Sequence, residues 1–408
     1  MQITRRNLMG AVAMVGAVLR HARAQGGATL RLGVLTDMSG GYKDLGGPVA
    51  VACARQAIED FGAAAKGLNV EVLVADHQGK ADVGAGIARS WFDRDGVDLI
   101  LEVSNSAVAS AVAGVVKDKN KAYMNSGAAT SDLTGAQCNA NTIHWTYDSY
   151  MLAKSTGAAM VRFGGTSWYF ITVDYVFGHT LTRDTTAFIT AAGGKVLGEV
   201  AYPFANTGDF SSQLLQAQAS GAKVVGLSSA GIDTINQIKQ AREFGLAKSG
   251  VKLAGLLMFI SDVHSISLET AQGLVVTNSF YWDANERTRA FAERLRPKAP
   301  TVRPTMVQAG VYASTLHYLK TAYAMGPAEA RKSGAATVAR MKAMPTEDDA
   351  FGPGSIRADG RALHPAYLWE VKSPAESTGP WDYYKLLATT PADEAFRPIM
   401  ADICTFSA

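Results

Sequence analysis

The feature that most constrains the fold is an alternation that runs once and then restarts. Short β-rich runs at TLRLGVL (29–35), NVEVLVA (69–75), VDLILEV (97–103) and KAYM (121–124) are separated by stretches of helical apolar spacing, such as Val51, Ala54, Ile58 and Phe61. The pattern then begins again. SWYFITV (167–173), KVLGEVA (195–201), AKVVGLS (222–228) and VKLAGLLM (251–258) alternate with helical segments around 179–192, 209–219 and 232–245. Such alternation implies parallel sheet with crossover helices, and two sets of similar size imply two similar α/β lobes. A further strand is expected in GLVVTNSFYW (273–282), then helices at 286–296, 305–325 and 333–343. That tail has too few strands for a third lobe and is expected to complete the first two.

Residues 1–24 stand apart from this pattern. Arg5 and Arg6, the apolar run Met9–Leu19 and the small-residue site Ala22-Arg23-Ala24 read as an export signal of the twin-arginine type, cleaved near Ala24. The run is about half the roughly 20 residues a spanning helix needs. Four of the 39 basic residues (Arg5, Arg6, Arg20, Arg23) and none of the 36 acidic ones lie in it, so the remainder carries 35 basic against 36 acidic side chains. A nearly neutral chain gives no electrostatic basis for nucleic-acid binding. An exported chain can form disulfides. Cys138 and Cys404 lie in loop-like sequence and are expected to pair, while Cys53, inside the helical pattern VAVACARQAIEDF, is expected to be a free core residue.

Loops of small residues follow the strand ends: DMSGGYKDLGG, SNSA, SGAATS, DYVFG and SSAG. In open parallel sheets, ligands bind outside the carboxyl ends of the strands, where loops lead into helix N-termini. These loops therefore point to one shared cleft. Nothing beside them reads as catalysis. There is no G-x-S-x-G elbow, no P-loop and no H-E-x-x-H, and GAGIAR (84–89) lacks a third glycine. The histidines show no metal-ligand spacing; His144 and His317 read as structural, and Asp132, Asp148 and Asp174 as caps or turn residues. No enzyme activity, metal or cofactor is expected.

RLGVLTDMSGGYKDLGG, then a helix with AIEDFG, then VEVLVADHQGKADVG, resembles the opening of type I periplasmic solute-binding proteins of ABC transporters. It is most similar to the branched-chain amino acid-binding (Leu/Ile/Val-binding-like) class. The likeness continues through SNSAVASAVAGVVKDKNKAYMNSGAATSDLTG, DYVFGHTLTRDTTAFITAAGGKVLGEVAYPFANTGDFSSQL and QIKQAREFGL, nearly the whole chain. The resemblance implies two Rossmann-like lobes with parallel-type sheets and a three-strand hinge, residues 25–145 plus 278–350 forming lobe 1 and 146–277 plus 351–408 lobe 2. It also implies crossings near 143–150, 272–282 and 350–356, a ligand enclosed by hinge closure, and docking of the closed form, expected as a monomer, on permease subunits at the membrane. The absence of a following span or output domain argues against the related receptor domains.

In this class the loops after the third and fourth strands hold a ligand carboxylate. That places Asn105, Ser106, Gly127, Ala128, Ala129 and Thr130 at the ligand, with Ser106 doubling as a cap for the helix 106–119. Helix N-termini supply unpaired N–H groups and partial positive charge, so such loops hold an anion without arginine. Ala128→Leu is accordingly expected to abolish binding with the fold intact. The other cleft candidates are Tyr42, Tyr147, Tyr150, Tyr175, Ser229 and Phe259, alongside Trp145, Phe177, Tyr281 and Trp282. Burying an ammonium unpaired is costly; its second-lobe candidates are Tyr175, Phe177 and Ser228–Gly231, and Asp174 or Asp233 could supply a carboxylate, although Asp233 also suits a first helical turn. Aromatic walls instead suit a flat carboxylate, and HWTYDSYMLA with the two loops resembles members associated with benzoates and phenylpropanoids. A branched-chain or other amino acid is the alternative ligand.

Overall fold

A computed structural model describes residues 28–204, 208–400 and 402–404; the export signal expected through Ala24 lies outside them. The first sheet comprises β1 (Leu30–Thr36), β2 (Val70–Asp76), β3 (Leu99–Glu102), β4 (Ala122–Asn125) and β5 (Thr142–His144). Its order is β2-β1-β3-β4-β5, all parallel. Three helices cross over between these strands: α1 (Gly47–Phe61), α2 (Ala81–Ser90) and α3 (Ser106–Lys119). Leu30, Leu32, Val34 and Leu35 of β1 are fully buried, as a central parallel strand covered on both faces requires.

The second sheet repeats the plan. β6 (Ser167–Val173), β7 (Lys195–Tyr202), β8 (Val224–Ser228) and β9 (Lys252–Gly255) lie in the order β7-β6-β8-β9, again parallel. The short helices α4 (Ser149–Leu152) and α5 (Ala158–Arg162) lead into it, and α6 (Val176–Ala191), α7 (Ser211–Ala219) and α8 (Ile232–Glu243) connect its strands. The chain is thus an α/β protein of two lobes, each built on a parallel sheet. Among the described residues no helix is long and apolar enough to cross a membrane.

Three predicted strands are shorter in the structure. The run 97–103 pairs only over Leu99–Glu102, because Glu102 and Val103 take left-handed φ of 78° and 63° and turn the chain out of the sheet. The run 251–258 stops at Gly255, and 273–282 contributes only β10 (Val275–Asn278). After α9 (Ile260–Ile266), α10 (Leu268–Ala271), α11 (Glu286–Leu295) and α12 (Met306–Met325), the tail holds strands the periodicity did not suggest. β11 (Thr346–Asp348), β12 (Gly352–Ile356) and β13 (Ala362–Leu363) form one antiparallel sheet, and β14 (Ala366–Val371) and β15 (Tyr384–Thr390) join β10 in another.

The tail braces the site from behind. Thr305 and Gln308 cap α12 reciprocally, the Gln308 N–H donating to Thr305 Oγ1 (3.3 Å) and the Thr305 N–H to Gln308 Oε1 (2.9 Å). The same side chains reach the loop before α1: Thr305 Oγ1 donates to the Leu45 carbonyl at 2.7 Å and Gln308 Nε2 to that of Gly46 at 3.0 Å. A second brace is the fully buried Arg361. It donates to Asp148 Oδ2 (3.4 Å), to the Ala362 carbonyl (3.0 Å) and to the Thr146 carbonyl, and lies over the Phe396 ring at 4.4 Å.

Cys138 and Cys404 are bonded, with Cα atoms 5.8 Å apart, and Cys53 is a buried free thiol. The bond ties the end of the tail to the segment that follows Thr130. Arg397 Nη2, donating to the Ser131 carbonyl at 2.9 Å, reinforces the same join. Unfolded without reductant, the protein should alkylate at one cysteine, and with reductant at three. Cys138→Ser with Cys404→Ser should cost about 2–4 kcal/mol in denaturant unfolding; an unchanged midpoint would show that the bond stabilises nothing.

Candidate functional site

The loop after β1 is shaped by one buried acid. Asp37 Oδ1 accepts from the Gly40 N–H (2.7 Å) and the Ser39 N–H (3.3 Å), and Oδ2 from the Tyr42 N–H (2.9 Å). This wraps the loop so that Tyr42 enters the space between the lobes. Its hydroxyl lies 2.7 Å from that of Tyr175, which stands in the loop after β6. Phe204, beyond β7, packs on both rings, at 4.9 Å from Tyr175 and 5.2 Å from Tyr42. Burial raises the pKa of both phenols, so both are neutral donors or acceptors.

The loop after β3 caps α3 through Asn105 rather than Ser106. Asn105 Oδ1 accepts from the N–H groups of Ala107 (2.9 Å) and Val108 (3.1 Å). Ser106, at the first helical position, is free to bridge to the next loop, its Oγ accepting from the Thr130 N–H at 3.3 Å. The loop after β4 is held by Asn125, which accepts from the Ala128 N–H (3.0 Å) and donates to the Ala128 carbonyl (2.8 Å). Tyr147 supports it from the first crossing, donating to the Gly127 carbonyl at 2.6 Å.

These elements close around a small space between the lobes, of about 10 Å³, room for about one water molecule. Lobe 1 contributes Tyr42, Leu45, Ser104, Ser106, Gly127 and Ala129, joined by Tyr147; Tyr175, Phe177, Ala230 and Leu257 form the opposite wall. None of the lining side chains is charged. Of the residues expected at the ligand, Tyr42, Ser106, Gly127, Ala129, Tyr147 and Tyr175 therefore meet around one space. Among the described residues no protein acceptor takes the N–H of Gly127 or Ala129.

The other expected residues are placed differently. The Asn105 side chain is spent on its cap. Ala128 has its N–H on Asn125 and its methyl in the apolar cluster with Val108 and Tyr123, so a leucine there would crowd the core rather than the cavity. The Thr130 hydroxyl accepts from the Asp132 N–H at 3.3 Å and caps the turn that follows. Tyr150 packs edge-on against Phe188 at 5.0 Å. Ser229 bonds Thr234 Oγ1 and Gln237 Oε1, each at 2.7 Å, fixing the start of α8. Phe259 lies fully buried behind Tyr147 at 6.0 Å. Trp145 packs beside His317, at 5.7 Å. Asp132 pairs with Arg183 at 3.3 Å instead of capping.

Ala230 falls in the stretch Ser228–Gly231 expected at the ligand and Ser104 in the SNSA loop, whereas Leu45 and Leu257 were not singled out from sequence, and aliphatic residues carry no signal that would do so. Glu102 did carry one, being an acid inside an otherwise apolar strand of the kind parallel sheets bury on both faces. Its carboxyl lies beneath Gly127 and Ser104, fully buried, and neither oxygen has a hydrogen-bond partner of good geometry. Burial raises its pKa to about 8. Asp233 in α8, raised to about 6 by burial, accepts from the Tyr202 hydroxyl at 3.1 Å. Among the described residues no three His, Cys, Asp or Glu side chains gather as a metal site would require.

Comparison with known proteins agrees with this architecture. A solved periplasmic binding protein from Burkholderia mallei is 45% identical, covering 93% of this chain and 99% of its own, with a TM-score of 0.88. A protein from Burkholderia xenovorans LB400, described as a branched chain amino acid ABC transporter periplasmic ligand-binding protein, is 40% identical over 93% of this chain and 100% of its own, with a TM-score of 0.81. The Leu/Ile/Val-binding protein homolog 4 of Brucella abortus (strain 2308) is 27% identical, and the match spans 56% of each chain. A Rhodopseudomonas palustris solute-binding protein in complex with benzoate shares the fold at 19% identity, covering 90% of this chain and 99% of its own, with a TM-score of 0.79. The family model described as periplasmic binding protein matches residues 29–379, and the chain belongs to that family.

Proposed function

We propose that this chain is the extracytoplasmic solute-binding component of an ABC importer, exported to the periplasm with its signal removed near Ala24. It binds a small carboxylate between its lobes, most suitably an aromatic acid such as a benzoate or phenylpropanoid derivative. The observation that carries this reading is the composition of the cavity: an uncharged, largely aromatic enclosure whose polar side is two serine hydroxyls and the free N–H groups of Gly127 and Ala129 beside the start of α3. Hydroxyls and N–H groups at a helix start hold an anion, and the opposite wall, Tyr175, Phe177, Ala230 and Leu257, offers an ammonium aromatic faces but no carboxylate. A protein of this fold solved in complex with benzoate supports the reading.

Closure would use the three crossings near 143–150, 272–282 and 350–356, bringing the monomer into the form its permease partner recognises. Gly231 brings the second lobe close to the backbone of the β1 loop. Its φ is +59°, and a Cβ there would lie 2.5 Å from the Gly41 carbonyl oxygen across the cleft. A branched-chain or other amino acid is the second reading. The B. xenovorans relative's description favours it, and so does the presence of one unpaired acid, Glu102, under the floor.

A thermal-shift screen separates the two. A ligand at 100 times its Kd should stabilise the protein by about 2.7 kcal/mol. Benzoate, 4-hydroxybenzoate or cinnamate should do so; stabilisation by leucine or valine with none by these acids would overturn the aromatic assignment. Ala129→Leu, which fills the cavity, should weaken binding about tenfold or more, as titration calorimetry would show. Gly231→Ala should do the same by obstructing closure, and because its φ of +59° strains any side chain it should also lower the melting temperature of the unliganded protein; undiminished affinity would mean that this approach is no part of the bound state.

A further inference from the structure

Glu102 is a buried acid for which the fold makes unusual provision. It sits at the end of β3 with left-handed φ at itself and at Val103, a conformation that a β-branched residue adopts only under constraint. Two glycines make room for it: a Cβ on Gly127 would lie 2.2 Å from Glu102 Oε1, and one on Gly46 2.8 Å. Gly127 also lines the cavity, so the carboxyl lies directly under the floor on which a ligand would rest.

The groups around Glu102 come from every neighbouring element. Thr36 of β1 and Ser104 flank it with hydroxyls, while Asp37 of the β1 loop adds a like charge. His77, after β2, accepts from the Gly79 N–H through Nδ1 at 3.0 Å, which leaves its proton on Nε2, 3.5 Å from Ser104 Oγ. Burial lowers the His77 pKa to about 4, so it brings no positive charge. Tyr123 of β4 and Tyr147 of the crossing, both neutral phenols, face it from the far sides. Among the described residues no lysine or arginine pairs with it. An ionised Glu102 could draw on the Thr36 and Ser104 hydroxyls and the Val103 N–H but on no cation, and it would stand beneath the proposed anion-binding floor, where two buried like charges repel strongly.

We infer that Glu102 is a specificity-determining residue which, as an uncharged carboxylic acid, allows the floor above it to accept an anion, so that carboxylate binding is coupled to a proton held at Glu102. The inference rests on the proposed ligand site and adds to it a condition: the site takes an anion plus a proton, and refuses the anion when that proton is gone. It also explains why the acid does not serve an ammonium ligand, for which it would have to ionise.

The test uses the mature protein, benzoate and L-leucine as probes, and Glu102→Gln as the neutral isostere. Wild-type affinity for benzoate should be level between pH 6 and 7 and fall about tenfold between pH 8.5 and 9.5, as release of one linked proton requires, whereas Glu102→Gln should bind at pH 7 within about threefold of wild type and show no such fall. A wild-type profile level to pH 9.5 overturns the inference. So does loss of benzoate binding in the variant, or wild-type binding of leucine that strengthens as pH rises, either of which would make the charged form the working one. The unliganded proteins give a separate readout. Because the folded pKa of about 8 exceeds the ordinary 4.5, the unfolded chain releases this proton first as pH rises, and wild-type stability falls between those values and levels off above them. The melting temperature of wild type should therefore drop relative to Glu102→Gln from pH 5 to pH 8. If neither probe binds, the ligand assignment is at fault, and a melting difference that fails to grow would overturn the inference on its own.

Discussion

A guanidinium removed entirely from water holds together the place where the lobes join. Arg361 spends its donors on Asp148, on the carbonyls of Thr146 and Ala362, and lays its face on Phe396. Leaving one partner of a buried ion pair without the other typically costs about 3–5 kcal/mol, so the tail and the first crossing are committed to each other. The commitment reaches the cavity in two steps. Asp148 caps α4 by accepting from the Met151 N–H at 2.8 Å, and between Thr146 and Asp148 stands Tyr147, whose hydroxyl holds the Gly127 carbonyl. The floor of the site is thereby positioned by a strand more than 200 residues away in sequence.

The proposed carboxylate site would hold an anion without a cation. Parallel strands deliver their carboxyl ends, and helix starts, to one edge, and the hydroxyls of Ser104 and Ser106 with two backbone N–H groups complete the donor set. A lysine or arginine would bring a long, mobile side chain and a desolvation cost into a confined space. Small residues on one side and flat rings on the other leave shape as the main discriminator, which is the division of labour expected of small-molecule pockets.

Much of this was legible in the sequence, for identifiable reasons. Two rounds of strand–helix alternation fix the parallel sheets and put the loops that follow strands at one edge of them, while the family resemblance singled out Ser106, Gly127 and Ala129 within those loops. The details that failed are those decided by a single side chain's competing hydrogen bonds. Asn105 outcompetes Ser106 as the α3 cap, Asn125 claims the Ala128 N–H, and Thr234 with Gln237 claims Ser229. The strands β11–β15 were missed because antiparallel pairing of short runs depends on distant partners, as in AYLWEV against β10 and β15. Glu102 was passed over as part of an apolar strand, although the left-handed turn it initiates ends the strand and builds the floor.

The contacts between the lobes are graded in strength along the cleft. Beside the crossing, Asp184 of α6 accepts from Ser131 Oγ (2.9 Å) and Ser149 Oγ (2.6 Å), and Arg183 reaches both Ser131 and Asp132. Among the described residues the hydrogen bonds of the β1 loop to the facing lobe are the neutral Tyr42–Tyr175 pair and a long bond from the Ile232 N–H to the Gly41 carbonyl, 3.5 Å. β1 lies three strands from β5 in the sheet, about 14 Å at the usual spacing. The strong fastening thus sits near the crossing and the weak one far from it. Were the lobes to part as the proposed closure requires, a small rotation at the crossing would be multiplied along that arm into a gap at the phenols. A cargo would then need to supply only the modest free energy of a neutral hydrogen bond or two to keep such a jaw shut, and little would make it let go.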